Sequence, residues 1–157
     1  MGLASHLGPW LLGTQKNTVG STTRNMGATS VSQFKSVAYT DSAATVAGVL
    51  PAGSLITNIA IYSSTAFVGT TPTITVSIAG TAVTTALALT SGTAINSPFT
   101  YASTTAAGAL LANVGTTDAS VTYTIGGTGL SAGAATLVIE YAVRNADGTI
   151  YPTYNNA

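Results

Sequence analysis

Apolar and polar residues alternate along several segments with a period of two, which is typical of strands that bury one face. The clearest segments are 55–62, 73–79, 121–125 and 136–143. Weaker candidates are 31–39, 44–50, 82–89 and 109–114. The clear segments are rich in β-branched and aromatic residues, which favour strands. No segment shows an amphipathic helical stripe with capping residues. The pattern therefore predicts about eight short strands.

Turn-forming residues separate these segments. The clearest groups are Pro51-Ala52-Gly53, Gly69-Thr70-Thr71-Pro72 and the glycine-rich 126–133. The last group has no lysine and precedes a predicted strand, so we interpret it as a connection between strands and not as a phosphate-binding loop. Short strands separated by turns predict an all-β fold: a single antiparallel β-sandwich or jelly-roll-like domain.

The beginning of the chain differs from the rest, because glycines interrupt every apolar stretch and neither period survives. We therefore divide the chain into an extended N-terminal arm, residues 1–30, and a β-sandwich domain with a short C-terminal tail, residues 31–157. Trp10, the only tryptophan, is followed by Leu11 and Leu12. Two interpretations stay open: a terminus loose in solution, or an arm that becomes ordered on a partner through its large aromatic anchor.

Charge is sparse in this chain, with 5% charged residues and a formal net charge of zero, against about 25% charged residues in an average soluble domain. Four scattered cations cannot make the phosphate contacts that nucleic-acid binding requires. The absence of cysteine excludes disulfides and thiolate metal sites. A surface of threonine, serine and alanine with so little charge is prone to association. We therefore expect a homo-oligomer that binds no nucleic acid.

The N-terminal sequence does not predict export or membrane insertion. It lacks a basic segment, and Gly8-Pro9 interrupts its apolar run, so a secretory signal is not expected. No apolar run reaches the roughly 18 residues that a membrane helix needs. We expect synthesis in the cytoplasm and no membrane contact.

Few side chains are available for chemistry. The acids are Asp41, Asp118, Glu140 and Asp147, and the single imidazole is His6. A glycoside hydrolase needs two facing carboxylates. However, Asp147 lies in a turn sequence, Asp118 in a predicted loop, and Glu140 at a solvated strand position or as an edge-protecting charge. We expect no enzyme activity, no catalytic or metal site and no cofactor.

Two tyrosines of the C-terminal tail, Tyr151 and Tyr154, are interface candidates. Exposed tyrosines stack on sugars or anchor protein contacts. Because Pro152 favours an extended tail, we expect these rings to pack on a neighbouring surface, either of the same chain or of a partner.

Several segments resemble small virion proteins of tailed phages. One is Leu50-Pro51-Ala52-Gly53 followed by the alternating aliphatic residues of 55–59 and 72–81, and another is 131–141. In such proteins the first motif closes one strand before the next begins, and a late strand finishes the sandwich. The segments 8–14 and 24–28 also resemble N-termini of virion proteins from marine and cyanobacterial phages. These motifs indicate a type of virion component better than a particular component.

The resemblance implies a capsid decoration (cement) protein on the capsid surface of the virion, with a head-fibre or tail-fibre component as the alternative. It implies the major capsid protein as partner and a trimer or dimer as the oligomer. We expect the arm to contact the shell. The candidate contacts are Trp10, Leu11, Leu12, Lys16 and Arg24.

Two other classes of function remain as rivals. A receptor- or glycan-binding module would use exposed tyrosines, with Tyr101 as a third candidate beside those of the tail. A glycan hydrolase would need Asp118 or Glu140 in a cleft with a partner carboxylate, and we expect no such activity.

Overall fold

The structure, a computed structural model, describes residues 29–41, 44–89 and 95–144. Seven strands and one helix form within these ranges. The strands are β1 (Thr29–Ala38), β2 (Thr45–Leu50), β3 (Leu55–Ile78), β4 (Thr81–Ala82), β5 (Leu87–Ala88), β6 (Asn96–Pro98) and β7 (Ala119–Val143). The helix is α1 (Thr105–Ala112).

Two long strands organise the fold. β3 and β7 pair antiparallel over nearly their whole length, from Leu55 opposite Ala142 to Ile78 opposite Val121. Most of the register shifts in this pair fall between Ser63 and Thr73, so the ladder is irregular in its middle. Each long strand thus contributes to two half-sheets, one on either side of this bend.

The first half-sheet contains β1, the end of β7, the beginning of β3, and β6. The second contains β2, the beginning of β7, the end of β3, and the short strands β4 and β5. Side chains from both half-sheets form a single core cluster. It includes Val37, Ile59, Ile61, Leu137 and Ile139 from the first half-sheet, and Leu50, Ile74, Val76, Val121 and Tyr123 from the second. The all-β prediction is confirmed, with both layers hydrogen-bonded into one seven-stranded antiparallel sheet.

The predicted breaks inside the two long strands are wrong. The segment Gly69-Thr70-Thr71-Pro72 lies within β3, and the glycine-rich 126–133 lies within β7, where a connection between strands was expected. Glycines and bulges let a paired ladder bend without ending. At this bend the buried Phe67 ring lies against Gly133, whose φ is 143°.

The sequence pattern also missed α1 and assigned part of it, 109–114, to a strand. Thr104 caps the helix, since its hydroxyl accepts a hydrogen bond from the Ala107 amide at 3.2 Å. Ala107 is buried, and Leu110 and Leu111 pack partly buried against the core. Apart from Thr105 the helix contains only alanine, glycine and leucine, so the sequence shows no contrast between an apolar and a polar face. The predicted strand 82–89 is also divided, because its ends belong to β4 and β5. Between them, Thr84 forms an isolated bridge with Tyr101.

Candidate interaction surface

Most of the predicted contact residues lie outside the part of the chain that the structure describes. These are Trp10, Leu11, Leu12, Lys16 and Arg24 of the arm and Tyr151 and Tyr154 of the tail, together with His6 and Asp147. The structure does fix where the two segments join the sheet. Thr29, the first residue of β1, is the register partner of Val143, the last residue of β7. Arm and tail therefore leave the same end of the first half-sheet.

Asp41 has a structural role between the two half-sheets. Its Oδ2 accepts hydrogen bonds from the Tyr123 hydroxyl at 2.5 Å and from the Ala38 amide at 2.8 Å. Burial, followed by this hydrogen bond and the nearby negative charge, raises the pKa of Tyr123 above its ordinary value of 10.0. The phenol therefore stays neutral and donates to Asp41, which ties the end of β1 to the second half-sheet.

Asp118 and Glu140 occupy different environments. Asp118 is exposed in the loop before β7, as predicted, and its Oδ1 accepts a hydrogen bond from the Ala52 amide at 3.0 Å. Glu140 has Ser32 and Asn58 as its register neighbours. Because β7 is paired on both sides there, the interpretation of Glu140 as an edge-protecting charge is wrong, and it is a partly exposed position on a central strand.

The loop that contains the Leu50-Pro51-Ala52-Gly53 motif joins β2 to β3, as the resemblance implied. The Arg144 Nε donates to the Gly53 carbonyl at 2.8 Å, and its guanidinium also donates to the Ala112 carbonyl at the end of α1. A cation at a helix C-terminus is favourable because the carbonyls there carry partial negative charge. One arginine thus fastens the loop, the helix and the end of β7.

The first half-sheet carries an unusual row of apolar residues on the face opposite the core. Phe34 of β1 pairs with Val138 of β7, Val138 with Ala60 of β3, and Ala60 with Pro98 of β6. These four residues form an apolar row across four strands, about 14 Å wide at the usual strand spacing. The central Val138 and Ala60 are buried, at 8% and 2% exposed, and the row is open to contact at its ends, Phe34 and Pro98. Tyr62 lies one row along the same face, opposite Thr136 and Asn96.

We call this surface the aromatic face and define it as Phe34, Ala60, Tyr62, Pro98, Tyr101 and Val138. Phe34 is 69% exposed, Tyr62 50% and Tyr101 38%. Burial raises the pKa of Tyr101, hydrogen bonding to the Ile59 backbone lowers it, and the Glu140 charge raises it again. In the strand register Glu140 lies one row from Val138 on the same face, which places a carboxylate beside the aromatic face.

The corresponding face of the second half-sheet has a different character. One of its rows consists of Val46, Thr122, Ser77 and Ala82, with no aromatic side chain among them. Since burial of apolar surface contributes about 25 cal/mol per Å², the exposed rings make the aromatic face the stronger candidate for a contact. The sequence indicates part of this surface. Phe34 alternates with Val37 and falls on the same strand face as Ser32 and Ser36, so a large ring lies on the polar face of β1.

Within the described ranges, no group of three or more histidine, cysteine, aspartate or glutamate side chains has the arrangement of a metal site. The one helix in those ranges is not long and apolar enough to cross a membrane.

The similarity to known proteins is one of structure. No protein-family model and no curated protein sequence matches the chain. A chain of the cyanophage Pam1 capsid asymmetric unit has a similar fold, with a TM-score of 0.52 and 19% sequence identity. The match covers 82% of this chain and 95% of that chain. At this identity the similarity is one of fold, and it extends over almost all of a chain in a phage capsid.

Proposed function

We propose that this protein is a structural component of a phage virion, and specifically a decoration protein that binds the outside of the capsid and stabilises the shell. The observation that carries the proposal is the similarity of fold to a chain of a cyanophage capsid over 95% of that chain. The resemblance of the sequence to small virion proteins also supports it, and the Leu50-Pro51-Ala52-Gly53 motif ends β2 as that resemblance implied.

A decoration protein acts by mass action. It binds the assembled shell and not the free subunits, so its binding free energy stabilises the assembled state. The stabilisation is about 2.7 kcal/mol per site when the free protein is present at about 100 times its Kd. Repeated over a lattice, such sites resist internal pressure without any strong individual contact.

The proposed partner is the major capsid protein, and the proposed contacts are the arm residues Trp10, Leu11, Leu12, Lys16 and Arg24. The common exit of arm and tail at Thr29 and Val143 supports this arrangement, because both segments can then reach one neighbouring surface. Tyr151 and Tyr154 would add a second contact from the tail. The proposed assembly on the lattice is a symmetric trimer or dimer.

The proposal includes no catalytic step, metal or cofactor. Among the three carboxylates that the structure describes, two accept hydrogen bonds from the protein itself. Asp41 accepts one from the Tyr123 hydroxyl, and Asp118 accepts one from the Ala52 amide. Glu140 lies on an open strand face between Ser32 and Asn58. This distribution favours a binding protein over a glycan hydrolase, which needs two facing carboxylates in a cleft.

The test begins with imaging of intact virions that contain this chain. Copies repeated over the whole shell are expected, whereas a few copies at one vertex or at the tail would contradict the proposal. That second result would favour the alternative, a head-fibre or tail-fibre component, with the exposed tyrosines as candidate glycan contacts.

A binding assay then tests the arm. Deletion of residues 2–28 should abolish binding to shells in co-sedimentation while the circular dichroism of the sheet is retained. Two double variants separate apolar from charged contacts. One combines Trp10→Ala with Leu11→Ala, and the other combines Lys16→Ala with Arg24→Ala. Only the second should reduce the salt dependence of binding. Unchanged occupancy after the deletion would rule out the arm as the contact.

A further inference from the structure

The aromatic face exposes three rings on one half-sheet, and a row that contains polar residues borders it on each side. The row of Phe34, Val138, Ala60 and Pro98 is flanked on one side by the row of Ser36, Thr136, Tyr62 and Asn96. It is flanked on the other side by the row of Ser32, Glu140 and Asn58. Glu140 is the only charged residue in these three rows. A matching ligand would therefore be apolar and aromatic, with a cation placed to one side of its apolar part.

Charge distinguishes between the two segments that leave the sheet beside this face. The part of the arm that precedes β1, residues 1–28, contains Lys16 and Arg24 and no acidic residue. The tail, residues 145–157, contains Asp147 and no cation. The arm complements Glu140, and the tail is repelled by it. The arm also contains Trp10, Leu11 and Leu12, an apolar group that can pack against the exposed Phe34 ring.

The length and the entry point of the arm allow it to reach the face. Phe34 is five residues beyond Thr29, or about 17 Å along the strand. Trp10 precedes Thr29 by 19 residues, and a chain of that length spans up to about 60 Å. An arm that turns back at Thr29 meets the row of Glu140 before the row of Phe34. Going back along the arm from Thr29, the chain reaches Arg24 after five residues and Trp10 only later. The cation and the indole therefore come in the same order as the two rows.

We propose that Trp10, Leu11 and Leu12 of the chain's own arm bind the aromatic face in the free protein, with Arg24 beside Glu140. The tether favours the chain's own arm over that of a second copy, because a linked segment is present at an effective concentration in the millimolar range. The proposal goes beyond the function proposed above and concerns the protein before it meets a partner. On a capsid, the same arm would exchange its own sheet for the shell.

Trp10 makes the test direct, since it is the only tryptophan and its fluorescence reports on the arm alone. In the full chain its emission maximum should lie to the blue of the emission in urea, with reduced quenching by acrylamide. Phe34→Ser should shift the emission to the red and raise the quenching to the value of the unfolded chain. The matched control is Val46→Ser, a residue 54% exposed on the other half-sheet, which should change neither signal. Equal quenching of Trp10 in the folded and unfolded chain would overturn the proposal.

A second set of variants keeps the conclusion independent of any effect of Phe34 on folding. Leu11→Ser with Leu12→Ser should produce the same red shift from the arm side, and Glu140→Gln should reduce the sensitivity of the emission to salt. Deletion of residues 145–157 should leave the emission unchanged.

Three other results would each overturn the proposal. Loss of the blue shift on dilution, with dimers in sedimentation velocity, would assign the face to the arm of a second copy. A red shift after deletion of 145–157 would assign a role to the tail. A red shift with Val46→Ser equal to that with Phe34→Ser would show that the signal is not specific to the aromatic face. None of these measurements uses capsids, so their outcome is separate from that of the shell-binding assay.

Discussion

The contact between Gly133 and Phe67 at the bend of the long strands should be among the least tolerant positions of the fold. A Cβ atom built on Gly133 would lie 2.3 Å from Phe67 Cδ1 and 2.5 Å from its Cγ. The Phe67 side chain is 1% exposed and belongs to the core cluster, so the ring has little room to move. Gly133→Ala should therefore displace the ring or the bend itself.

The expected cost has two parts. A side chain at a φ of 143° adds backbone strain of about 1–3 kcal/mol. Overpacking of a dense core adds about 1–3 kcal/mol. The sum is a large fraction of the roughly 5–15 kcal/mol by which a typical domain is stable. We expect Gly133→Ala to lower the free energy of unfolding by about 2–6 kcal/mol.

Urea denaturation followed by circular dichroism measures this loss. Gly80→Ala is the matched control, because Gly80 also has a positive φ, 78°, but has no heavy atom within 4 Å of an added Cβ. It should lose only the backbone part, about 1–2 kcal/mol. In a Phe67→Ala background, Gly133→Ala should cost about as little as Gly80→Ala. The reasoning would be refuted if Gly133→Ala were no more destabilising than the control, or if its cost were the same with and without the Phe67 ring.

Three further predictions concern hydrogen bonds and helix formation. Tyr123→Phe should cost about 1.5–3 kcal/mol at neutral pH, since it removes a hydrogen bond to the Asp41 carboxylate. Because the pKa of Tyr123 is raised in the folded chain, this tyrosine ionises first in the unfolded chain as the pH rises above 10.0. The free energy of unfolding should therefore fall there by up to about 1.4 kcal/mol per pH unit. Urea titrations should show a shallower fall for Tyr123→Phe, and an identical slope in the two proteins would contradict this. Thr104→Ala should cost about 1 kcal/mol by removing the helix cap, whereas the adjacent control Thr105→Ala should cost clearly less in the same titration. Gly108→Ala should stabilise by about 0.5–1 kcal/mol, because an added Cβ meets no atom within 4 Å, and a loss of stability would show that the site is crowded.

The strand positions were predictable because alternation is a local property. Ile59 and Ile61, and likewise Ile74 and Val76, face the core because successive side chains of a strand point to opposite faces, and all four are fully buried. No distant contact was needed to identify these faces. The same logic placed Glu140 on the face opposite Ile139, whereas Asp118 was placed in a loop because it follows Gly115-Thr116-Thr117.

The continuity of β3 and β7 was not predictable in this way. Glycine and proline end a strand in most contexts, and the sequence offers both at Gly69 and Pro72. Here the partner strand has glycines beside this segment, since Gly126 pairs with Thr73 and Gly127 lies against Pro72, so the pair bends without separating. That outcome depends on the register between segments about 60 residues apart, as the packing of Phe67 against Gly133 shows.

The helix and the aromatic face were missed for two different reasons. α1 is short and, apart from Thr105, contains only alanine, glycine and leucine, so it lacks the alternation of apolar and polar residues that identifies an amphipathic helix. The aromatic face depends on Phe34, Ala60, Pro98 and Val138 falling into one row, which requires the registers of three strand pairs. Each residue alone is unremarkable in the sequence.

Local periodicity and composition were enough to predict the all-β class, the buried face of most clear strands and the scarcity of chemical groups. In 55–62 the register shift between Ile56 and Asn58 brings Ile56 and not Leu55 into the core cluster, which alternation could not show. The passage of two long strands through both half-sheets became visible only in the folded structure. The tertiary structure also decided that Asp41 is the partner of Tyr123, and that an exposed aromatic surface lies beside the exit of the arm. These features arise from pairings between distant segments, and the register of such pairings is set by the packing of the whole core.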